Sequence, residues 1–99
     1  MTDARLDIIL DALDAARQRV TYGAAASLLS TAPRTLMSGR ERDARCSWIV
    51  SRRSGQPTGY DAEQMHSDLL ANEHIIETRE ELERWLESQG VSLAAAVAA

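Results

Sequence analysis

Cys46, His66 and His74 are the side chains of this sequence best equipped for nucleophilic or metal chemistry, and their surroundings argue against both. A nucleophilic thiol needs a partner that favours its thiolate near neutral pH, and Cys46 is flanked by Arg45 and Ser47, with no histidine beside it. A single cysteine closes no internal disulfide, and a zinc site needs about four ligands. His66 and His74 stand among Glu63, Asp68, Glu73 and Glu77, yet no pair has the helical metal spacing of three or four with another strong ligand. No metal, no cofactor and no catalytic residue is expected. The chemistry that the residue types do favour is anion recognition. All 11 basic side chains are arginine, whose planar fork suits phosphates and base edges better than a lysine point charge does. A GC-rich coding sequence alone replaces Lys with Arg, but it does not decide where along the chain the arginines fall.

They are sorted. Residues 1–16 carry Arg5 against four Asp, net −3; residues 17–60 carry eight Arg against Glu41 and Asp43, net +6; residues 61–99 carry Arg79 and Arg84 against nine acids, net −7. The total of −4 therefore hides a basic middle segment between two acidic ones. Basic patches are the electrostatic footprint of nucleic-acid binding, whereas opposite segments in one chain also suit pairing within a monomer or between subunits.

The elements that position these residues follow from periodicity. Ninety-nine residues, 44% of them apolar, with five Gly and two Pro, suit one domain, expected over 1–90 with an Ala-rich tail at 91–99. No apolar run approaches the roughly 20 residues of a membrane span, and the start lacks the basic and apolar regions of a secretory signal, so a cytoplasmic protein without membrane contact is expected. Leu6, Ile9, Leu10, Leu13 and Ala16 recur at threes and fours, predicting a helix over about 3–18. Thr21 is placed to cap a second helix through Ala24, Ala25, Ala26, Leu28 and Leu29, ending near Ser30. Pro33 suits the first turn of a third, with Leu36 and Met37 inward and a stop near Gly39. Trp48-Ile49-Val50 predicts a strand leading into the turn-rich 54–59 loop or hairpin. Asp61 is read as the cap of a helix through Met65, Leu69 and Leu70, and Ile75-Ile76 as an extended piece docking on the core. Thr78 with Glu81 predicts a capping box for a final helix over about 79–89, stopped by Gly90. Trp48 and Trp85 are expected as core anchors.

Two short helices joined by a tight turn and followed by a basic strand and loop have the plan of a winged helix-turn-helix, in which one helix enters a groove and the wing grips phosphates. The expected fold is mainly α (α+β): a winged helix-turn-helix-like single domain with a short β wing and an additional C-terminal helix. Arg34 falls in the first turn of the expected recognition helix, where free N–H groups also favour a phosphate. Arg40, Arg42 and Arg45 follow it, and Arg52 and Arg53 lie on the wing.

The phrases Arg19-Val20-Thr21-Tyr22-Gly23-Ala24-Ala25-Ala26, Ala32-Pro33-Arg34, Cys46-Ser47-Trp48-Ile49-Val50 and Gly55-Gln56-Pro57-Thr58-Gly59-Tyr60, in this order, resemble the C-terminal DNA-binding domain of the O6-alkylguanine-DNA alkyltransferases and alkyltransferase-like proteins. The likeness covers residues 17–60. Val20-Thr21-Tyr22-Gly23 is its most specific phrase, the final Gly59-Tyr60 is less so, and the isolated Pro33-Arg34 is weak. The resemblance implies a winged helix that binds the minor groove, with Tyr22 on the phosphate beside the target nucleotide and Arg34 filling the space of an extruded base. Met37 stands where the family has a glycine. The family's Pro-Cys-His-Arg is replaced by Arg45-Cys46-Ser47-Trp48, with one extra residue before the loop glycine, so the likeness points to a non-catalytic alkyltransferase-like protein, not an enzyme.

The expected function is recognition of modified or damaged double-stranded DNA by a bacterial-type domain, through Thr21, Tyr22, Arg34, Ser47, Arg52 and Arg53. About six phosphate contacts would give a logarithmic salt slope near −5 or −6. The alternative is a protein-interaction or homodimerisation module on the same frame, with the acidic C-terminal helix as partner surface. A third reading, alkyl transfer to Cys46, predicts irreversible labelling of that residue by alkylguanine substrates.

Overall fold

Leu6, Ile9, Leu10 and Leu13 form the buried stripe of helix α1 (Ala4–Ala16), in the computed structural model that describes residues 4–37 and 42–91. The helix stops where Arg17 takes a left-handed φ of 57° and Gln18 donates its N–H to the Leu13 carbonyl at 3.1 Å. This closure satisfies an end carbonyl that the helix itself leaves open. Strand β1 (Arg19–Thr21) follows, and Thr21 ends it by capping α2 (Tyr22–Leu28), its side chain accepting from the Ala24 N–H. Ser30 closes α2 as Arg17 closes α1, with φ 57° and a Thr31 N–H to Ala26 carbonyl bond of 2.9 Å.

The chain after α2 departs from expectation. Pro33 to Met37 is a turn and not an α-helix. The Thr35 N–H, the Thr35 hydroxyl and the Leu36 N–H all bond the Ala32 carbonyl, and a threonine hydroxyl that competes for a backbone acceptor weakens helix propagation. The rest of the expected recognition helix, at 38–41, lies outside the described residues, as does the tail at 92–99.

A 3₁₀ turn at Arg45–Trp48 leads into strand β2 (Ile49–Val50), and the extended piece expected at Ile75-Ile76 is strand β3 (Ile75–Ile76). The sheet runs in the order β2-β1-β3 with both pairings parallel: Val20 lies opposite Ile49 on one side and Ile76 on the other. The strand expected before the 54–59 loop is present as β2. The strand at 49–50 joins a central parallel sheet, and the loop after it closes on itself through Ser51 N–H to Gln56 carbonyl and Gly55 N–H to Ser51 carbonyl bonds. Parallel strands need long crossovers, and α2 with its following loop supplies the first. The fold is mixed α/β, with three α-helices and a three-stranded parallel sheet among the described residues.

The helix expected after Asp61 shrinks to one 3₁₀ turn, Ala62–Gln64, which Asp61 and Gln64 cap reciprocally. It goes no further because the next donors are taken elsewhere: the His66 N–H bonds the Ser47 hydroxyl, and the Asp68 N–H bonds His66 Nδ1. Thr78 caps α3 (Arg79–Ser88) by accepting from the Glu81 N–H, while Glu81 reaches back to the N–H of Glu77, one residue before the usual capping-box partner. Gly90, at φ 70°, ends the helix. α3 packs against α2 through Leu82 and Leu86. Trp48 sits fully buried in the core, its indole N–H donating to Asp14 at 2.9 Å and its ring 4.9 Å from that of His66. Among the described residues, no helix is long and apolar enough to cross a membrane.

Candidate nucleic-acid interface

Tyr22 opens α2 and is half-buried, with its phenol oxygen accepting the Thr58 N–H at 3.0 Å. That bond uses the oxygen as an acceptor and leaves the O–H free to donate. The next residue, Gly59, has φ +77°, and a Cβ built there would stand 3.3 Å from Arg42 Nη2 and 3.5 Å from Arg42 Nε. The Arg42 guanidinium therefore lies over the same turn that holds the Tyr22 phenol. Tyr60 follows, half-buried, its phenol pushed above the ordinary range mainly by burial, with Cys46, Tyr22 and Asp43 adding to the rise and Arg42 opposing it.

The arginines of the basic segment divide into two groups. Arg19 is buried, 6% exposed, and donates to the carbonyls of Gly55 and Asn72, each at 2.8 Å. Burial lowers its pKa, and its Nε has no partner. Arg45 is held by Asp7 at 3.2 Å and Asp11 at 2.6 Å, which raises its pKa, the Asp11 bond contributing most. Arg17 pairs with Asp68 at 3.2 Å and donates to the Asp14 carbonyl. Arg52, exposed, lies 3.5 Å from Glu77. Much of the charge sorted along the sequence is thus matched within one chain: α1 and the segment after residue 61 supply the acids. Arg34, Arg42 and Arg53 are exposed and form no ion pair among the described residues; Arg40 lies outside them.

Two of the expected contact residues, Thr21 and Ser47, have buried side chains. Ser47 is 0% exposed, and its hydroxyl is used twice, donating to the Ala44 carbonyl at 2.6 Å and accepting the His66 N–H at 3.0 Å. Thr21 is 3% exposed, with its hydroxyl committed to the α2 cap. Both side chains are structural because each satisfies a backbone group that the fold leaves without a regular partner. Tyr22, Arg34, Arg52 and Arg53 remain at least partly exposed. Arg42 joins them, and its place against the 58–59 turn was signalled in sequence only by the glycine of Thr58-Gly59-Tyr60.

Cys46 is buried, and its N–H donates to the Asp43 carboxylate at 2.9 Å. His66 packs at a 40° tilt against Trp48, and His74 pairs with Glu81; no group of three or more His, Cys, Asp or Glu among the described residues is arranged to hold a metal. What the surface around Tyr22 offers is a phenol donor and a planar cation set on one glycine turn, an arrangement suited to an anion with several oxygens. Comparison with protein-family models, with curated proteins and with solved structures finds no match to this chain.

Proposed function

We propose that the protein binds double-stranded DNA without catalysis, in the manner of the alkyltransferase-like proteins that residues 17–60 resemble, and that modified or damaged duplex is its target. Support comes first from the division of the arginines. The acids of α1 and of residues 61–77 neutralise Arg17, Arg45 and, weakly, Arg52, while Arg34, Arg42 and Arg53 stay exposed and without an ion pair among the described residues on the loops after α2 and β2. In a chain of net charge −4, exposed arginines held back from the available acids suit an anionic partner. The free O–H of Tyr22 adds a neutral donor.

The winged helix-turn-helix plan is part of this proposal, with the turn at Pro33–Met37 standing where the recognition helix would begin. Three arginine contacts imply a logarithmic salt slope of about −3, shallower than six would give. The test is fluorescence anisotropy with a short duplex, with and without an O6-alkylguanine, at about 50 and 200 mM salt. Salt-sensitive binding that weakens in Arg34→Ala is expected, and stronger binding to the modified duplex would assign lesion recognition. Absence of binding at the lower salt would refute the proposal.

A further inference from the structure

The turn at Thr58-Gly59 brings two side chains together, those of Tyr22 and Arg42. Tyr22 reaches it through the Thr58 N–H, a bond of 3.0 Å in which the phenol accepts and so keeps its own proton for another partner. Arg42 reaches it by lying over Gly59, so close that a Cβ would meet Nη2 at 3.3 Å. Asp43, the adjacent acid among the described residues, does not claim that guanidinium. Asp43 accepts the Cys46 N–H at 2.9 Å instead, and Arg42 forms no ion pair among the described residues. Gly59 thus meets two demands, a backbone φ of +77° that side-chain-bearing residues rarely adopt and the room needed by the arginine.

We infer that Arg42 and the Tyr22 hydroxyl jointly hold one backbone phosphate of the bound duplex, with the Thr58-Gly59 turn fixing their separation. The inference rests on the DNA-binding proposal above and adds to it a residue and a shared contact. A phosphodiester presents two anionic oxygens, one for the planar fork and one for the phenol proton, and backbone contacts of this kind set register on the duplex without reading its sequence. Gly59 then acts as a positioning residue, since a side chain there displaces the guanidinium.

The test compares wild type, Arg42→Ala, Tyr22→Phe and the double variant in duplex binding across about 50 to 200 mM salt, with thermal melting of each to confirm folding. Arg42→Ala is expected to weaken binding about tenfold at low salt, as for loss of one charged hydrogen-bonded contact, and to reduce the magnitude of the salt slope by about 0.9. Tyr22→Phe is expected to weaken binding and leave the slope unchanged. The double variant loses less than the product of the two single losses, because the pair serves one phosphate. An Arg42→Ala protein with wild-type affinity and slope overturns the inference, as do losses that multiply independently. Failure of the wild type itself to bind overturns the DNA proposal as well, and is seen before any substitution is made.

Discussion

Arg45 donates its Nε to Asp11 at 2.6 Å while its Nη2 lies 3.2 Å from Asp7, so the arginine beside the buried thiol is tied to α1. The 3₁₀ turn that carries Cys46 and Trp48 is thereby clipped to the helix on which it packs. All three side chains are at least a third exposed, so each pair contributes at most about 1 kcal/mol. Arg45→Ala is expected to lower stability in urea by about 1 kcal/mol and to leave duplex binding unchanged. A loss of binding with intact folding would place Arg45 in the interface instead.

Arg52 and Glu77 make the opposite kind of pair, exposed and 3.5 Å apart. Glu77→Gln releases Arg52 for phosphate, and the salt slope of duplex binding is expected to steepen by up to about 0.9. Tighter binding on removal of an acid is the outcome anisotropy would record.

Ser30 holds a left-handed φ of 57° at the end of α2, a conformation that glycine adopts without a Cβ clash. Ser30→Gly is expected to raise stability by roughly 0.5–1 kcal/mol, because relief of about 1–2 kcal/mol of left-handed strain outweighs the entropic cost of glycine, about 0.5–1 kcal/mol; this reads as a higher urea midpoint at unchanged slope. The same exchange at Gly90 in reverse, Gly90→Ser, is expected to destabilise.

The Tyr60 phenol titrates above its ordinary value, chiefly because of burial. As pH rises past about 10, the unfolded chain releases this proton and the folded chain keeps it, so the folded state binds more protons and its stability falls with pH. The contribution is fully present below the unfolded value and is lost on the alkaline side. In the Tyr22→Phe background, Tyr60 is the remaining tyrosine of two, and its ultraviolet titration should be displaced upward until unfolding releases it; Tyr60→Phe should flatten the alkaline loss of stability.

Trp48 is fully buried and bonded to Asp14. Trp48→Ala removes the largest fully buried side chain of the core and leaves Asp14 without its indole donor, at an expected cost of about 3–5 kcal/mol. Chemical denaturation measures this directly.

The elements legible in the sequence were those whose signal is local. The apolar spacing of Leu6, Ile9, Leu10 and Leu13 and the caps at Thr21 and Thr78 each depend on residues within a turn or two, and each stands where expected. The strands were harder. Ile49–Val50 and Ile75–Ile76 are too short to show a period, and their parallel pairing with β1 depends on residues far along the chain. The expected helix after Asp61 failed for a related reason, because the Ser47 hydroxyl, 19 residues away, takes the His66 N–H. Charge behaved in the same way: the basic segment was plain, but whether an arginine is spent depends on contacts such as Arg17 with Asp68, 51 residues apart. The burial of Thr21 and Ser47 was not legible either, because a hydroxyl looks the same in sequence whether it faces a ligand or completes a cap.

The three-residue strand β1 has its two neighbours near residues 50 and 75, with nothing local to pair with. A ribosome extends the chain from its N-terminus, so Tyr22, Arg34, Arg42, Arg52 and Arg53 all emerge before Ile75 and Ile76 can complete the sheet between them and α3. Nascent chains cut off ahead of β3 would carry every proposed DNA contact on an unfinished frame, and competence to bind should arrive late and abruptly during synthesis.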